Sequence, residues 1–155
     1  MRPEGRPAHG LAEQGRISPL TLMWCRSTGL HPDGGVGPTF VTDIEVDPGH
    51  RWLGLRGAPV FGRRPPRGEI CLAIDGRPVP ARRHDRRRDF VLTVPLGGLA
   101  PGMHRLAVHS STVFIPNDYL GNKDFRPLAF RLRELRLTAD GEAGAGDPTA
   151  DRAAA

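Results

Sequence analysis

Apolar and polar residues alternate along much of the chain, in short runs that begin near residue 40. Side chains two apart on an extended chain point to the same face, so each run predicts a strand with one buried face. The dipeptide Asp75-Gly76, followed by Arg77-Pro78-Val79, is typical of a tight hairpin turn. Short strands separated by turns favour an all-β antiparallel sandwich. The runs lie at 40–46, 53–55, 70–74, 90–96 and 106–108.

One apolar segment, 127–137, fits two kinds of element. Leu128, Leu132 and Leu135 have the spacing of one helix face. As a strand, the segment changes apolar parity between Leu132 and Leu135, which requires a bulge or bend near Arg133-Glu134. The surrounding strand-like runs favour the strand interpretation.

Composition divides the chain into three parts. Residues 1–16 and 140–155 are polar or rich in Gly, Pro and Ala, and we predict a disordered N-terminal segment and a disordered C-terminal tail. Residues 17–139 are predicted to form the β-sandwich domain. The 20 Gly and 16 Pro of the chain disfavour long helices.

The most distinctive segment, 112–137, reads TVFIPNDYLGNKDFRPLAFRLRELRL. An F-x-P motif is formed by Phe114 and Pro116. A D-x-R-x-L motif, formed by Asp124, Arg126 and Leu128, precedes alternating apolar residues. This arrangement resembles the jelly-roll accessory domains, carbohydrate-binding-like in type, that are found at the ends of bacterial glycosyltransferases.

The resemblance extends over residues 39–139, through a D-G-R-P-V turn at 75–79 and the sequence L-x-P-G-x-H-x-L at 99–106. The family pattern has Gly where this chain has Ala129. The resemblance implies a jelly-roll or galactose-binding-like sandwich that accompanies glycan or surface-polysaccharide machinery without catalysing a reaction. Its implied partner is a glycan or a glycosyltransferase-type enzyme.

Several side chains are candidates for contacting a sugar. Asp124 and Arg126 point the same way on an extended chain, so they either pair and pin the loop onto the sheet or bind sugar hydroxyls. Trp52 is out of phase with its apolar neighbours, so it either covers a sheet edge or forms a stacking platform. The candidate carbohydrate-binding residues are Trp52, Asn117, Asp118, Tyr119, Asp124 and Arg126.

Charge provides a second hypothesis. The chain has 22 Lys+Arg against 17 Asp+Glu, and the residues Arg82, Arg83, Arg86, Arg87 and Arg88 are predicted to lie in one loop. That loop is either a solvated connection or a site for a polyanion such as nucleic acid. Nucleic acid is disfavoured because no aromatic set interleaves the arginines. A protein–protein interaction domain without a ligand of its own is the third alternative.

No catalytic motif is visible, and we predict a non-enzyme without cofactor or metal. The alternating Asp43, Glu45 and Asp47 lie too far apart to bind one calcium ion unaided. Cys71 lies in an apolar run and is predicted to be a buried thiol; a Cys25–Cys71 disulfide stays open. Without a signal peptide or transmembrane segment, we expect a cytoplasmic protein, one that could work beside a membrane.

Overall fold

The computed structural model describes residues 16–17, 27–60 and 68–139, and the structural statements below concern these residues. They form ten strands and one short helix. The elements are β1 (Arg16–Ile17), β2 (Thr28–Leu30), β3 (Gly35–Val46), β4 (Trp52–Ala58), β5 (Ile70–Ile74), β6 (Arg77–Val79), β7 (Arg82–Arg86), β8 (Asp89–Pro95), β9 (Gly102–Ser110), α1 (Pro116–Leu120) and β10 (Phe130–Thr138).

The strands pair in the order β6-β5-β9-β3-β10-β4-β8-β7, with β1 on β10 and β2 on β3. Every pairing is antiparallel. The sheet curls so that side chains from both halves of this order join one apolar core. The predicted all-β antiparallel sandwich is confirmed.

The alternating runs explain which face of each strand is buried. Phe40 and Ile44 of β3 point into the core. On the same face of β9, Val108 lies opposite Phe40 and Leu106 lies opposite Thr42. Burying a large aliphatic or aromatic side chain stabilises the fold by roughly 1.5–3 kcal/mol. The period-two pattern therefore shows directly which side chains hold the two halves together.

Strand β10 joins the two halves of the sheet. Its first two residues, Phe130 and Arg131, pair with β3, and the pairing with β4 runs from Arg131 to Thr138. The register shifts between Leu132 and Glu134, which confirms both the strand interpretation and the predicted bulge near Arg133-Glu134. The bulge keeps Leu132 and Leu135 buried although their parity differs.

The Asp75-Gly76 turn is confirmed as a two-residue hairpin between β5 and β6. Both residues have positive φ, 51° and 79°, as such turns require. The Asp75 carboxylate also accepts a hydrogen bond from the backbone N–H of Arg105 at 2.9 Å. The turn is therefore fixed to strand β9 as well as to its own hairpin.

Two predictions about local placement are wrong. The arginine run is not a loop: 82–86 form the edge strand β7, and only Arg87-Arg88 make the turn into β8. Charged side chains on an edge strand discourage pairing with another chain. Cys71 is exposed rather than buried, because Leu72 and Ile74 take the core-facing parity of β5.

The predicted disorder of 1–16 and 140–155 falls on residues outside the described part, except that Arg16 lies in β1. Cys25 also lies outside it. In the described ranges, no helix is both long and apolar enough to cross a membrane.

Candidate functional site: a loop held by an arginine clamp

The connection between β9 and β10, residues 111–129, is a long loop with its own internal order. At its base, Phe114 and Leu128 exchange backbone hydrogen bonds of 2.7 and 2.8 Å. Helix α1 follows Ile115, runs from Pro116 to Leu120 and is capped by Gly121, whose φ of 59° gives the left-handed conformation typical of a helix end. The loop therefore closes on itself before β10 begins.

Two asparagine side chains stabilise the tip of this loop. The side-chain carbonyl of Asn117 accepts from the backbone N–H of Lys123 at 2.8 Å. The side-chain carbonyl of Asn122 accepts from the backbone N–H of Asp124 at 3.1 Å. Lys123 has a φ of 61°, and these hydrogen bonds hold it in that uncommon conformation. Asn117 is a predicted sugar-binding residue, and its side-chain carbonyl is therefore already engaged in a hydrogen bond within the loop.

Arg126 connects the loop to the turn between β2 and β3. Its Nε and Nη2 donate to the two carboxylate oxygens of Asp124 at 2.9 and 2.7 Å. Its Nη1 and Nη2 donate to the two oxygens of Asp33 at 3.2 and 2.9 Å. Such two-pronged contacts are the strong form of a carboxylate–guanidinium pair. We call Asp33, Asp124 and Arg126 the arginine clamp.

The clamp shifts the titration of its members. Hydrogen bonding from Arg126 lowers the pKa of Asp33 to about 2, and the Gly35 N–H, at 3.0 Å from Asp33 Oδ1, adds to this effect. The Arg126 side chain also lowers the pKa of Asp124. The two carboxylates, Asp124 first, raise the pKa of Arg126. All three groups are charged at neutral pH.

The clamp confirms that Asp124 and Arg126 pair, and it shows what this leaves for a ligand. A guanidinium has five N–H groups, and the clamp occupies one on Nε, one on Nη1 and both on Nη2. A single Nη1 N–H of Arg126 stays outside the clamp. Arg126 and Asp124 are therefore placed to position the loop.

The loop presents large apolar side chains to solvent. Tyr119 is 65% exposed and Phe125 is 66% exposed, with the exposed Leu120 beside them in α1. The Tyr119 ring meets the edge of Phe114 at 6.2 Å between ring centroids, which helps to orient it. Asp118 of the same helix is also exposed. Phe125 was not among the predicted site residues, although it lies inside the D-x-R motif.

Trp52 does not belong to this loop site. It begins β4 and pairs with Thr138 at the far end of β10, whereas the loop joins the opposite end, where Arg131 pairs with Ala58. Seven residues of extended strand span about 23 Å. The six predicted carbohydrate-binding residues therefore fall into two places, with Trp52 alone in the second.

A second polar cluster lies beside the β5–β6 turn. His104 Nδ1 is 2.5 Å from an oxygen of Asp75, and its Nε2 is 2.6 Å from the carbonyl oxygen of Ala100. Because the Asp75 carboxylate and the Ala100 carbonyl are both acceptors, this arrangement favours the protonated ring, in which both nitrogens donate. The hydrogen bond to Asp75, and next that to Ala100, raises the pKa of His104.

We expect Asp75→Asn to lower the His104 pKa towards its ordinary value of 6.5, because the ring loses its strongest acceptor. A raised pKa gives stabilisation that is complete below the unfolded value and is lost as pH rises through the folded value. Proton NMR of the imidazole ring measures the change. Asp43→Asn is the control, since Asp43 contacts Arg105 at 3.4 Å instead; an equal shift in both variants would contradict the assignment.

Within the described ranges, no three His, Cys, Asp or Glu side chains come together as a metal site. The acidic residues in and just after β3 make separate contacts: Asp43 approaches Arg105 at 3.4 Å, and Asp47, which follows the strand, lies 3.9 Å from His50. Asp43 and Glu45 therefore belong to a charged strand face, and Asp47 to the turn that follows it.

Comparison with known proteins identifies no family model that matches the chain. No curated protein matches it either. Among solved structures, it is similar to an exo-β-1,3-galactanase from Phanerochaete chrysosporium, crystallised with β-1,3-galactotriose. The identity is 16% and the TM-score is 0.43. The match covers 80% of this chain and 29% of the galactanase, so the chain spans less than a third of that enzyme.

Proposed function

We propose that this protein is a non-catalytic accessory module that binds a glycan through the β9–β10 loop. The observation that carries the proposal is the arginine clamp. Its two carboxylates and one guanidinium fix a loop that exposes aromatic side chains. Rigid positioning of contact residues reduces the entropy lost on binding.

The chemistry of the loop suits a sugar. Tyr119 and Phe125 offer apolar ring faces, and the carboxylate of Asp118 and the free amide nitrogen of Asn122 lie on the same short segment. Small-molecule sites combine aromatic surface with a few placed polar groups. The resemblance of the F-x-P and D-x-R-x-L motifs to glycosyltransferase-associated domains supports the same ligand class.

The proposal is tested by screening the purified chain against neutral and charged oligosaccharides. We expect Tyr119→Ala and Phe125→Ala each to weaken binding about tenfold, since losing one aromatic stacking partner costs about 1–3 kcal/mol in systems where it is measured with bases. Met103→Ala is the matched control, because Met103 is an exposed apolar side chain, at 55%, on β9.

Two results would overturn the loop site. One is absence of binding to any oligosaccharide by the folded wild-type chain. The other is an oligosaccharide affinity that is the same in Tyr119→Ala and Phe125→Ala as in the control variant Met103→Ala. In either case the exposed rings would instead serve contact with a protein partner, the interaction role considered above.

A further inference from the structure

Large apolar side chains at the surface are concentrated in the β9–β10 loop. Among the described residues, five large apolar side chains are exposed, and four of them lie within 113–125. Exposed apolar side chains scattered singly are ordinary on a protein surface, whereas a cluster marks a surface that binds something. Leu120, at 63% exposure, follows Tyr119 at the end of helix α1. It has no ring to stack on a sugar and no group to bind a hydroxyl, so the proposed glycan role leaves it unexplained.

Residues 117–125, here called the loop tip, form a closed turn of chain. The Asn117 N–H donates to the Asp124 carbonyl at 2.8 Å, and this bond joins the two ends of the turn. Leu120 lies within the turn, and Phe125 follows directly after its closing bond. Because the arginine clamp also fixes the turn to the β2–β3 connection, the apolar side chains are presented with little ordering cost.

The backbone of the loop tip is hydrogen-bonded within its own segment. Six N–H groups within 117–126 donate to acceptors within 115–124, at distances of 2.8 to 3.2 Å. A polar group is costly to move out of water unless it is already hydrogen-bonded, and backbone that enters a bilayer has to satisfy these groups internally. The six donors are the N–H groups of Asn117, Asp118, Gly121, Lys123, Asp124 and Arg126. These groups therefore oppose the transfer of the loop tip out of water only weakly.

We infer that the loop tip inserts into the surface of a lipid bilayer. Leu120 and Phe125 enter the boundary between the headgroups and the acyl chains, where the apolar face of a peripheral protein segment lies. Tyr119 joins them, since a tyrosine ring suits the same boundary. The inference goes beyond the proposed glycan role and does not depend on it.

The charges of the loop tip cancel, which favours insertion over a purely electrostatic contact. Its charged side chains are Asp118, Lys123 and Asp124, and Asp124 is held by Arg126. The remaining carboxylate and ammonium have opposite signs. The long Lys123 side chain can keep its ammonium at the level of the lipid phosphates while its neighbours enter the bilayer. A bilayer of neutral, zwitterionic lipid is therefore a sufficient partner.

A bilayer also fits the small size of this surface better than a folded protein does. A stable protein interface takes about 20–30 residues from each side, whereas the loop tip spans 117–125 alone. Insertion into a bilayer needs no matching shape, and its strength grows with the apolar area that is buried. Three large side chains on one short turn give a weak and reversible membrane contact.

The test replaces Leu120 by tryptophan in the full chain and adds vesicles of phosphatidylcholine at millimolar lipid. Neutral vesicles are used because the net charge of +5 would bring the chain to an anionic surface without insertion. We expect the fluorescence of Leu120→Trp to shift to shorter wavelength and to be quenched by lipids brominated in the acyl chains. Met103→Trp is the matched control, because Met103 is 55% exposed and lies at the end of β9 far from the loop. Trp24 and Trp52 are present in both variants, so the difference between them reports the introduced ring.

Leu120→Ser separates the membrane contact from the glycan role. We expect it to lower co-sedimentation with the same vesicles at least about threefold relative to Met103→Ser, because less apolar area enters the bilayer. Its affinity for an oligosaccharide should stay within about twofold of the wild type, and circular dichroism reports that each variant folds. An unchanged spectrum of Leu120→Trp at millimolar lipid, an equal response of Met103→Trp, or equal co-sedimentation of the two serine variants would each overturn the inference. Because oligosaccharide binding is measured without vesicles, failure of insertion and failure of the glycan site give different results.

Discussion

Replacing Phe130 by alanine is expected to lower the free energy of unfolding by about 3–5 kcal/mol. Phe130 is completely buried, and its ring meets that of Phe90 edge to face, with 5.3 Å between ring centroids. A loss of this size is a large part of the 5–15 kcal/mol that typically separates a folded domain from its unfolded state.

The location of Phe130 makes the loss difficult to relieve. Phe130 pairs with Val36 at the position where β10 joins β3, so it lies at the connection between the two halves of the sheet. Both rings pack directly on Gly57: a Cβ atom built there would lie 2.5 Å from Phe90 and 2.9 Å from Phe130. Backbone on one side and a second ring on the other leave little freedom to close the cavity.

Urea unfolding followed by circular dichroism measures the effect, with the slope of the transition reporting whether unfolding stays two-state. Phe125→Ala is the control, because it removes the same side chain from an exposed position and should change stability by no more than about 0.5 kcal/mol. A loss for Phe130→Ala similar to that of Phe125→Ala would show that β10 does not hold the two halves together.

Much of the fold follows from local sequence. The parity of Phe40 and Ile44 predicted the buried face of β3, and the Asp75-Gly76 dipeptide predicted its hairpin. Even the bulge in β10 was required by the change of apolar parity after Leu132. These features depend only on neighbouring residues, so the sequence of a single strand or turn is enough to predict them.

Sheet order is not local, and the sequence did not reveal it. Strand β10 lies between β3 and β4, although almost the whole domain separates it from them along the chain. The apolar periodicity of a strand does not indicate which other strand it pairs with. The same limit affected the arginine run, where charge suggested a loop: pairing with β8 makes it a strand, and Arg83 lies over the Phe90 ring at 4.9 Å from its centroid.

In the candidate site, too, the local contact was predictable and the long-range contact was not. Pairing of Asp124 with Arg126 was predictable because the two residues are two apart on an extended chain. Asp33 was missed because 93 positions separate it from Arg126, and no sequence pattern connects the two residues. One local signal was the position of Asp33 before Gly34-Gly35, which is typical of a turn in which the aspartate accepts a backbone hydrogen bond. In the structure, Gly35 donates its backbone N–H to this carboxylate.

Arg126→Ala is expected to release the β9–β10 loop, and a protease that cleaves after lysine can detect this at one bond. Lys123 is the one lysine of the chain, and its neighbours hold it closed: its own N–H bonds to Asn117, and the Asp124 carbonyl accepts from the Asn117 N–H at 2.8 Å. We expect cleavage after Lys123 to become at least about tenfold faster, as local opening becomes less costly.

The expected effect is local because the clamp lies partly in water. Solvent screens the attraction between exposed ion pairs, so removing the Arg126 guanidinium should open the loop without unfolding the sandwich. Arg126→Lys separates charge from geometry, since an ammonium cannot make two-pronged contacts with both Asp33 and Asp124. We expect its cleavage rate to lie between those of the wild type and Arg126→Ala.

Acid should release the same loop. The pKa of Asp33 is lowered to about 2, so its stabilisation is complete above the ordinary value of 3.8 and is lost as pH falls through the folded value. The lowered pKa of Asp124 acts in the same direction. Amide signals of Gly35 and Lys123 followed by NMR should therefore change between about pH 4 and pH 2, and Asp33→Asn should remove the Asp33 part of that change.

Arg105→Ala completes the experiment because Arg105 also pairs with an aspartate, Asp43, but on the opposite half of the sheet. It removes one guanidinium and one ion pair without touching the loop. If Arg126→Ala is cleaved after Lys123 no faster than Arg105→Ala, the clamp does not hold the loop. The exposed rings of Tyr119 and Phe125 would then lose the rigid support on which their binding role depends.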